Sequence, residues 1–255
     1  MTSDTKHPLG IGYILGTSCW LPLRHPLTLI LPFLCYAGLS ALVEIQVFGG
    51  LYDDMFAADT SLAKYGYYLG QNMVAWVLSA WVSLMGFRLL TGGDAHAARN
   101  TALTLRHIAP LMVLSIAYLA FVIIGYIALI VPGLYLSVRY WVFPMALLVE
   151  DSRYAALRRA SDLSEGARLA MMGTVIVAFV AAALLYVALA ALLGLVSGLG
   201  PMGFFTEGAQ TPVLLRVTSD TLIYALFAGV TATLYQRLVV REAPAGTPDL
   251  EEVFA

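Results

Sequence analysis

Long apolar stretches alternate with short polar gaps over most of the chain. Six of them read as membrane-crossing helices, at residues 27–48, 68–90, 108–130, 133–148, 169–197 and 221–240. They hold roughly 16 to 29 residues each, against the ~20 that a helix rising ~1.5 Å per residue needs to cross the hydrocarbon. Helix is the expected form, because backbone amides find no water inside a bilayer. The fourth stretch is the shortest and calls for little tilt or locally thinned lipid.

Polar gaps on one side of this pattern are themselves amphipathic. Residues 11–23, 94–106 and 153–168 precede the first, third and fifth spans and predict helices lying in the headgroup plane. In the last, Ala156, Leu157, Ala160, Leu163 and Ala167 recur at helical spacing opposite the charges. Asp94, after Gly92 and Gly93, is placed to cap the second. A phrase recurs at two of these sites, Leu21-x-Leu23-Arg24-His25 and Leu103-x-Leu105-Arg106-His107. It suggests three units of surface helix plus two-span hairpin, although membrane entry from the inside could produce the same phrase, and both readings stand.

Composition agrees with the pattern. Of 255 residues, 60% are hydrophobic and 12% charged, about half the charge of a soluble domain, and the mean hydropathy is +0.82. A net charge of -2 gives no ground for nucleic-acid binding. Charge placement is more informative. Of the fourteen Lys and Arg, eleven fall on one side of the spans, only Lys64 and Arg216 on the other, and Arg139 within a span. The positive-inside rule places the rich side, with both termini, in the cytoplasm. The expected fold is thus all-α and polytopic: a single helical membrane domain over 1–241, followed by a disordered acidic cytoplasmic tail at 242–255. Arg24 and His25 interrupt the first apolar run before any small-residue cleavage site, so no cleaved signal peptide is expected. Cys19 and Cys35 read as inert thiols.

The fourth span and its exit carry a recognisable run. It comprises Ile130-Val131-Pro132-Gly133-Leu134, Arg139, Pro144 and Glu150, then Ala156-Leu157-Arg158-Arg159-Ala160-Ser161-Asp162-Leu163 and Gly166. With the closing Leu234-Tyr235-Gln236-Arg237-Leu238, this resembles a bacterial inner-membrane family. That family includes the membrane domain of some glycerophosphoryl diester phosphodiesterases and the YciC-type proteins of unknown function. Ala160 between the arginines and Ser161 departs by one residue from the usual spacing. The resemblance implies a cell inner-membrane module without the hydrolase domain; it does not imply an activity. Pro132-Gly133 is expected to form a tight external turn between the third and fourth spans. Arg158 and Arg159 are expected to meet anionic headgroups.

Candidate chemistry is sparse. Glu44, Arg139 and Asp220 fall at similar expected depth near the outer face and form the candidate binding cluster, since lone charges in lipid cost several kcal/mol unless paired. The plainer alternative has Arg139 snorkelling outward and Asp220 pairing with Arg216 one turn away. His7, His25, His96 and His107 lack metal-ligand spacing. Asp53, Asp54 and Asp59 lack the regular oxygen spacing of a calcium loop. Ala190, Gly194 and Gly198 form a small-residue packing ridge. Tyr65, Tyr67 and Tyr68 suit the outer aromatic belt and Trp20 the inner one. No catalytic residue, metal or cofactor is expected, since no nucleophile elbow, Walker sequence or HExxH occurs. The expectation is a non-enzymatic envelope or membrane-organisation module acting through membrane lipids or a membrane or cytoplasmic protein partner. The alternatives are a transporter or channel using the Arg139 region and, least favoured, an intramembrane enzyme.

Overall fold

The computed structural model describes residues 10–48, 62–93, 95–197 and 213–242. Most of those residues are helical, and no strand occurs among them. Helix α1 covers Ile11–Arg24, α2 Pro26–Leu29, α3 Leu31–Phe48, α4 Leu62–Leu90, α5 Ala97–Arg106 and α6 Ile108–Ala128. Then come α7 at Ile130–Tyr140, α8 at Phe143–Glu150, a 3-10 turn at Arg153–Ala155, α9 at Ala156–Leu163, α10 at Arg168–Val196 and α11 at Val213–Glu242.

Five segments among the described residues are long and apolar enough to cross a membrane: Tyr65–Leu90, Ile108–Ala128, Ile130–Glu150, Arg168–Val196 and Val213–Glu242. A sixth apolar helix, Leu31–Gln46, is shorter. The first expected span is therefore divided. Pro32 has no amide hydrogen to return to the carbonyl of Thr28, so the helix breaks at Ile30 and restarts as α3. The fourth is divided as well, into α7 and α8, with Pro144 in the first turn of the second piece. Apolar residues cover the outside: Ile127, Leu169 and Val196 are each about four-fifths exposed, at 80%, 81% and 78%. Such a surface suits lipid as solvent.

Helix α11 is the hub, packing against α4, α1, α3 and α10. Small residues permit this. A Cβ on Gly229 would come within 2.8 Å of the Ser18 carbonyl oxygen, so α1 and α11 cross almost backbone to backbone. Ser18 donates to Ile14 O at 2.6 Å and reaches Thr233 Oγ1 at 3.4 Å. Helix α1, expected as a surface helix, is wedged into the bundle through Ile14, Ser18 and Leu21, and its other side exposes Tyr13, Trp20 and Leu23.

The hairpin between α6 and α7 corrects the expected turn. Its one non-helical residue is Leu129 (φ -171, ψ 156), while Pro132 and Gly133 lie in the first turn of α7. Proline is tolerated there because first-turn amides lack helical acceptors anyway. Gly133 serves close approach: a Cβ would stand 2.5 Å from the Tyr126 ring, and one on Gly125 would stand 2.8 Å from Gly133 Cα. Two opposed glycines let the antiparallel helices touch.

The three stretches expected to form surface helices are helical, with different limits. Ala156, Ala160, Leu163 and Ala167 are buried and Leu157 is partly so, but α9 ends at Leu163 and the chain turns before α10 begins at Arg168. The sixth span starts two turns earlier than expected, at Val213. The candidate cap Asp94, the acidic residues Asp53, Asp54 and Asp59, His7, Gly198 and the tail beyond Glu242 lie outside the described residues.

Candidate functional site

Polar side chains gather at the two opposite ends of the bundle. At the end where α3 finishes and α4 and α11 begin, three helices each present a polar stripe at four-residue spacing, which puts its members on one face. Helix α3 brings Tyr36, Ser40 and Glu44; α4 brings Tyr67 and Gln71; α11 brings Arg216, Asp220 and Tyr224. Glu44 is 0% exposed. Arg216 grips it with both terminal nitrogens, at 2.6 Å to Oε2 and 2.9 Å to Oε1. Gln71 Nε2 donates to Glu44 Oε1 at 2.9 Å and to the Tyr67 hydroxyl at 2.7 Å, and also meets Ser40 Oγ. Tyr36 donates its hydroxyl to the Gln71 carbonyl at 2.7 Å, and Tyr67 to that of Ser40 at 3.1 Å. Asp220 stands 3.8 Å from Arg216 Nε. A bidentate guanidinium–carboxylate pair removes the net charge that apolar surroundings would penalise. The arrangement fastens α3, α4 and α11 together.

A second network closes the other end. Arg159 on α9 donates Nε to Glu150 Oε2 at 2.6 Å and both terminal nitrogens to Glu242, at 2.7 and 2.5 Å. The remaining Glu150 oxygen accepts from the buried Tyr235 hydroxyl at 2.8 Å. Hydrogen bonding to Glu242, with a further bond to Glu150, raises the Arg159 guanidinium above its ordinary value against the opposing effect of burial. Nearby, buried His107 places Nδ1 at 2.9 Å from Leu103 O and Nε2 at 2.6 Å from Asp151 Oδ1. That contact, ahead of the charges of His107, Arg106 and Arg153, holds the Asp151 carboxyl below its usual range. Asp151 adopts left-handed backbone (φ 50) at the end of α8, where aspartate is among the few tolerant residues.

The structure joins two of the three residues of the candidate cluster and separates the third. Glu44 and Asp220 meet through Arg216, a residue that reads from the sequence as part of an external loop. Arg139 is not in this network. Its Nε donates to Ser161 Oγ on α9 at 2.8 Å, and its guanidinium lies 5.2 Å from the Tyr140 ring centre. Of the two arginines expected at headgroups, Arg158 is exposed, whereas Arg159 is held by two carboxylates. The sequence offers Tyr67 only as an aromatic-belt residue and does not single out Gln71, Ser40 or the contact of His107 with Asp151. The four-residue polar spacing within apolar helices was the signal for the first three. Cys19 and Cys35 are free thiols. Ala190 and Gly194 are buried on α10, as a packing ridge requires. Among the described residues no three His, Cys, Asp or Glu are grouped as metal ligands.

Comparison with protein-family models, with curated proteins and with solved structures gave no match.

Proposed function

We propose that this chain is a six-span, non-enzymatic inner-membrane module with both termini in the cytoplasm, organising the membrane through lipids gathered at its arginine-bearing end. One observation carries the reading: α1, α5 and α9 pack against the spans at that end and leave Arg24, Arg99, Arg106 and Arg158 exposed around it. Anionic lipid is worth about 1 kcal/mol per such side chain near a charged leaflet. Trp20 beneath Arg24, 4.8 Å from its guanidinium carbon, suits the interfacial depth. A transporter through the Arg139 region draws no support from the bond between Arg139 and Ser161.

The test is reconstitution into nanodiscs of mixed anionic and zwitterionic phospholipid. Anionic lipid should be enriched around the protein, the enrichment should weaken with salt, and replacing the four arginines with glutamine should abolish it. Equal lipid composition with and without those arginines would refute the reading.

A further inference from the structure

We infer that Arg139 and Arg168 form a binding site for a phosphate group where α7, α9 and α10 meet. This goes beyond the diffuse lipid enrichment proposed above, because it is a single site with residues of its own.

Helix α9 sets the level of the site. Ser164 Oγ donates to the Arg139 carbonyl at 3.2 Å, and Arg139 Nε donates to Ser161 Oγ at 2.8 Å. At the next residue, the Glu165 carbonyl accepts from Arg241 Nη2 at 2.8 Å, near the end of α11. Arg139 therefore stands level with the turn from α9 into α10, beside the end of the last helix, and not deep within its span. Ser161 meets a second cation there. Arg168 Nη2 lies 3.4 Å from the Ser161 carbonyl oxygen, so two guanidinium groups flank one residue.

No carboxylate answers either charge. Among the described residues Arg153, Arg159 and Arg216 have acidic partners, whereas Arg139 and Arg168 have none. Nη1 and Nη2 of Arg139 make no hydrogen bond to the described residues and are open to the surroundings. Arg168 opens the 29-residue helix α10, whose first turn holds no acidic residue and has no capping side chain. A cation there faces the positive end of the helix dipole, beside amides that lack helical acceptors. Two unanswered cations and a helix N-terminus repel one another until an anion joins them.

The neighbouring tyrosines define which anion fits. Tyr135 and Arg139 are four residues apart and share one face of α7. The Tyr135 hydroxyl accepts from Arg168 Nη1 in an exposed hydrogen bond, which leaves its own hydrogen to give. The guanidinium carbon of Arg168 lies 5.4 Å from the centre of the Tyr135 ring, and that of Arg139 5.2 Å from that of Tyr140. Aromatic contact of this kind orients a guanidinium plane. What these side chains have left to offer is hydrogens and positive charge, from two helices at once. A phosphate, with several oxygens and one or two negative charges, matches that set. It can arrive as a lipid headgroup, beside Leu169 at 81% exposure, or from solution.

Calorimetric titration of the full chain in a neutral maltoside detergent tests the site with three probes: dihexanoyl phosphatidylglycerol, inorganic phosphate and dihexanoylglycerol. One-to-one binding of the first, the second or both is expected, and none of the third. Binding of phosphatidylglycerol alone identifies a headgroup as the source; phosphate that binds identifies a site open to soluble phosphates. Arg139→Gln and Arg168→Gln should each weaken binding about tenfold, as loss of a charge-assisted hydrogen bond does. Tyr135→Phe, which keeps the ring, should weaken it about fivefold. Absence of one-to-one binding by both phosphate probes, or equal binding of dihexanoylglycerol, overturns the site. So does unaltered binding in Arg168→Gln and Tyr135→Phe, even if Arg139→Gln fails to fold. Glutamine in place of the four surface arginines should leave this binding intact, so the two readings fail separately.

Discussion

Arg216 clamps Glu44 across 172 positions of sequence, with both terminal guanidinium nitrogens on the two carboxylate oxygens at 2.6 and 2.9 Å. The pair ties the last helix to the first apolar one. Its two halves are not equivalent. Removing Arg216 leaves a carboxylate with 0% exposure and Gln71 beside it, whereas removing the Glu44 charge leaves Arg216 beside Asp220 and closer to the helix end. Arg216→Leu should therefore cost about 3–5 kcal/mol, and Glu44→Gln about 1–2 kcal/mol. The double variant should be more stable than Arg216→Leu alone. Thermal or SDS-induced unfolding in mild detergent measures all three, and additive losses would contradict the pairing.

The α6–α7 hairpin depends on two glycines in contact. Gly133→Ala places a methyl 2.5 Å from a ring carbon and 2.8 Å from the backbone nitrogen of Tyr126; the ring can move, the backbone cannot without opening the hairpin. A loss of about 1–3 kcal/mol follows. Gly38 on α3 has nothing within 4 Å of its position, so Gly38→Ala should be neutral or slightly stabilising through helix propensity. Unfolding of the two variants side by side separates close contact from a general sensitivity of spans to substitution.

Continuous apolar length made the long helices legible, because lipid as solvent demands it all round a span. Breaks were harder to see. Pro32 was visible, yet a mean over 27–48 hides the stop it imposes at Ile30. Arg216 and Asp220 sit in a mixed stretch, Val213 to Asp220, whose polarity resembles a loop until Glu44 neutralises it. Pairings such as Glu44 with Arg216 or Arg139 with Ser161 depend on which helix faces meet, and single-chain periodicity carries that only as a stripe without a partner. Charge asymmetry gave a direction to the ends of the bundle but did not reveal that Arg159 spends its charge on Glu150 and Glu242.

Asp151 supplies an acid-side dependence. Its carboxyl lies below the ordinary 3.8 because the His107 hydrogen bond favours the ionised form. Between the two values the unfolded chain binds more protons, so stability rises with pH there. The contribution is complete above the ordinary value and disappears as pH falls through the lowered one. Unfolding midpoints should drop as pH is taken from about 5 to about 3, and Asp151→Asn should flatten that drop while leaving the profile above pH 5 parallel to the parent. An unchanged acid limb in Asp151→Asn would remove this contact from the account.

Arg158 and Arg159 are neighbours with different surroundings, and each should fail in its own way. Arg159 is held by Glu150 and Glu242, and through Glu150 it supports the Tyr235 hydroxyl at the end of the central helix. Arg159→Gln should lower stability by about 1 kcal/mol, as expected for a partly exposed ion-pair network, and leave anionic-lipid enrichment nearly unaltered. Arg158 is exposed on the same short helix. Arg158→Gln should keep the unfolding midpoint and weaken association with anionic lipid about fivefold, the effect of ~1 kcal/mol. Measuring both properties on both variants gives a crossed result that uniform damage to α9 cannot produce. If Arg159→Gln were the one that lost lipid, its guanidinium would have to leave two carboxylates for a headgroup, and the clamp on Glu242 would not be the resting state of the protein.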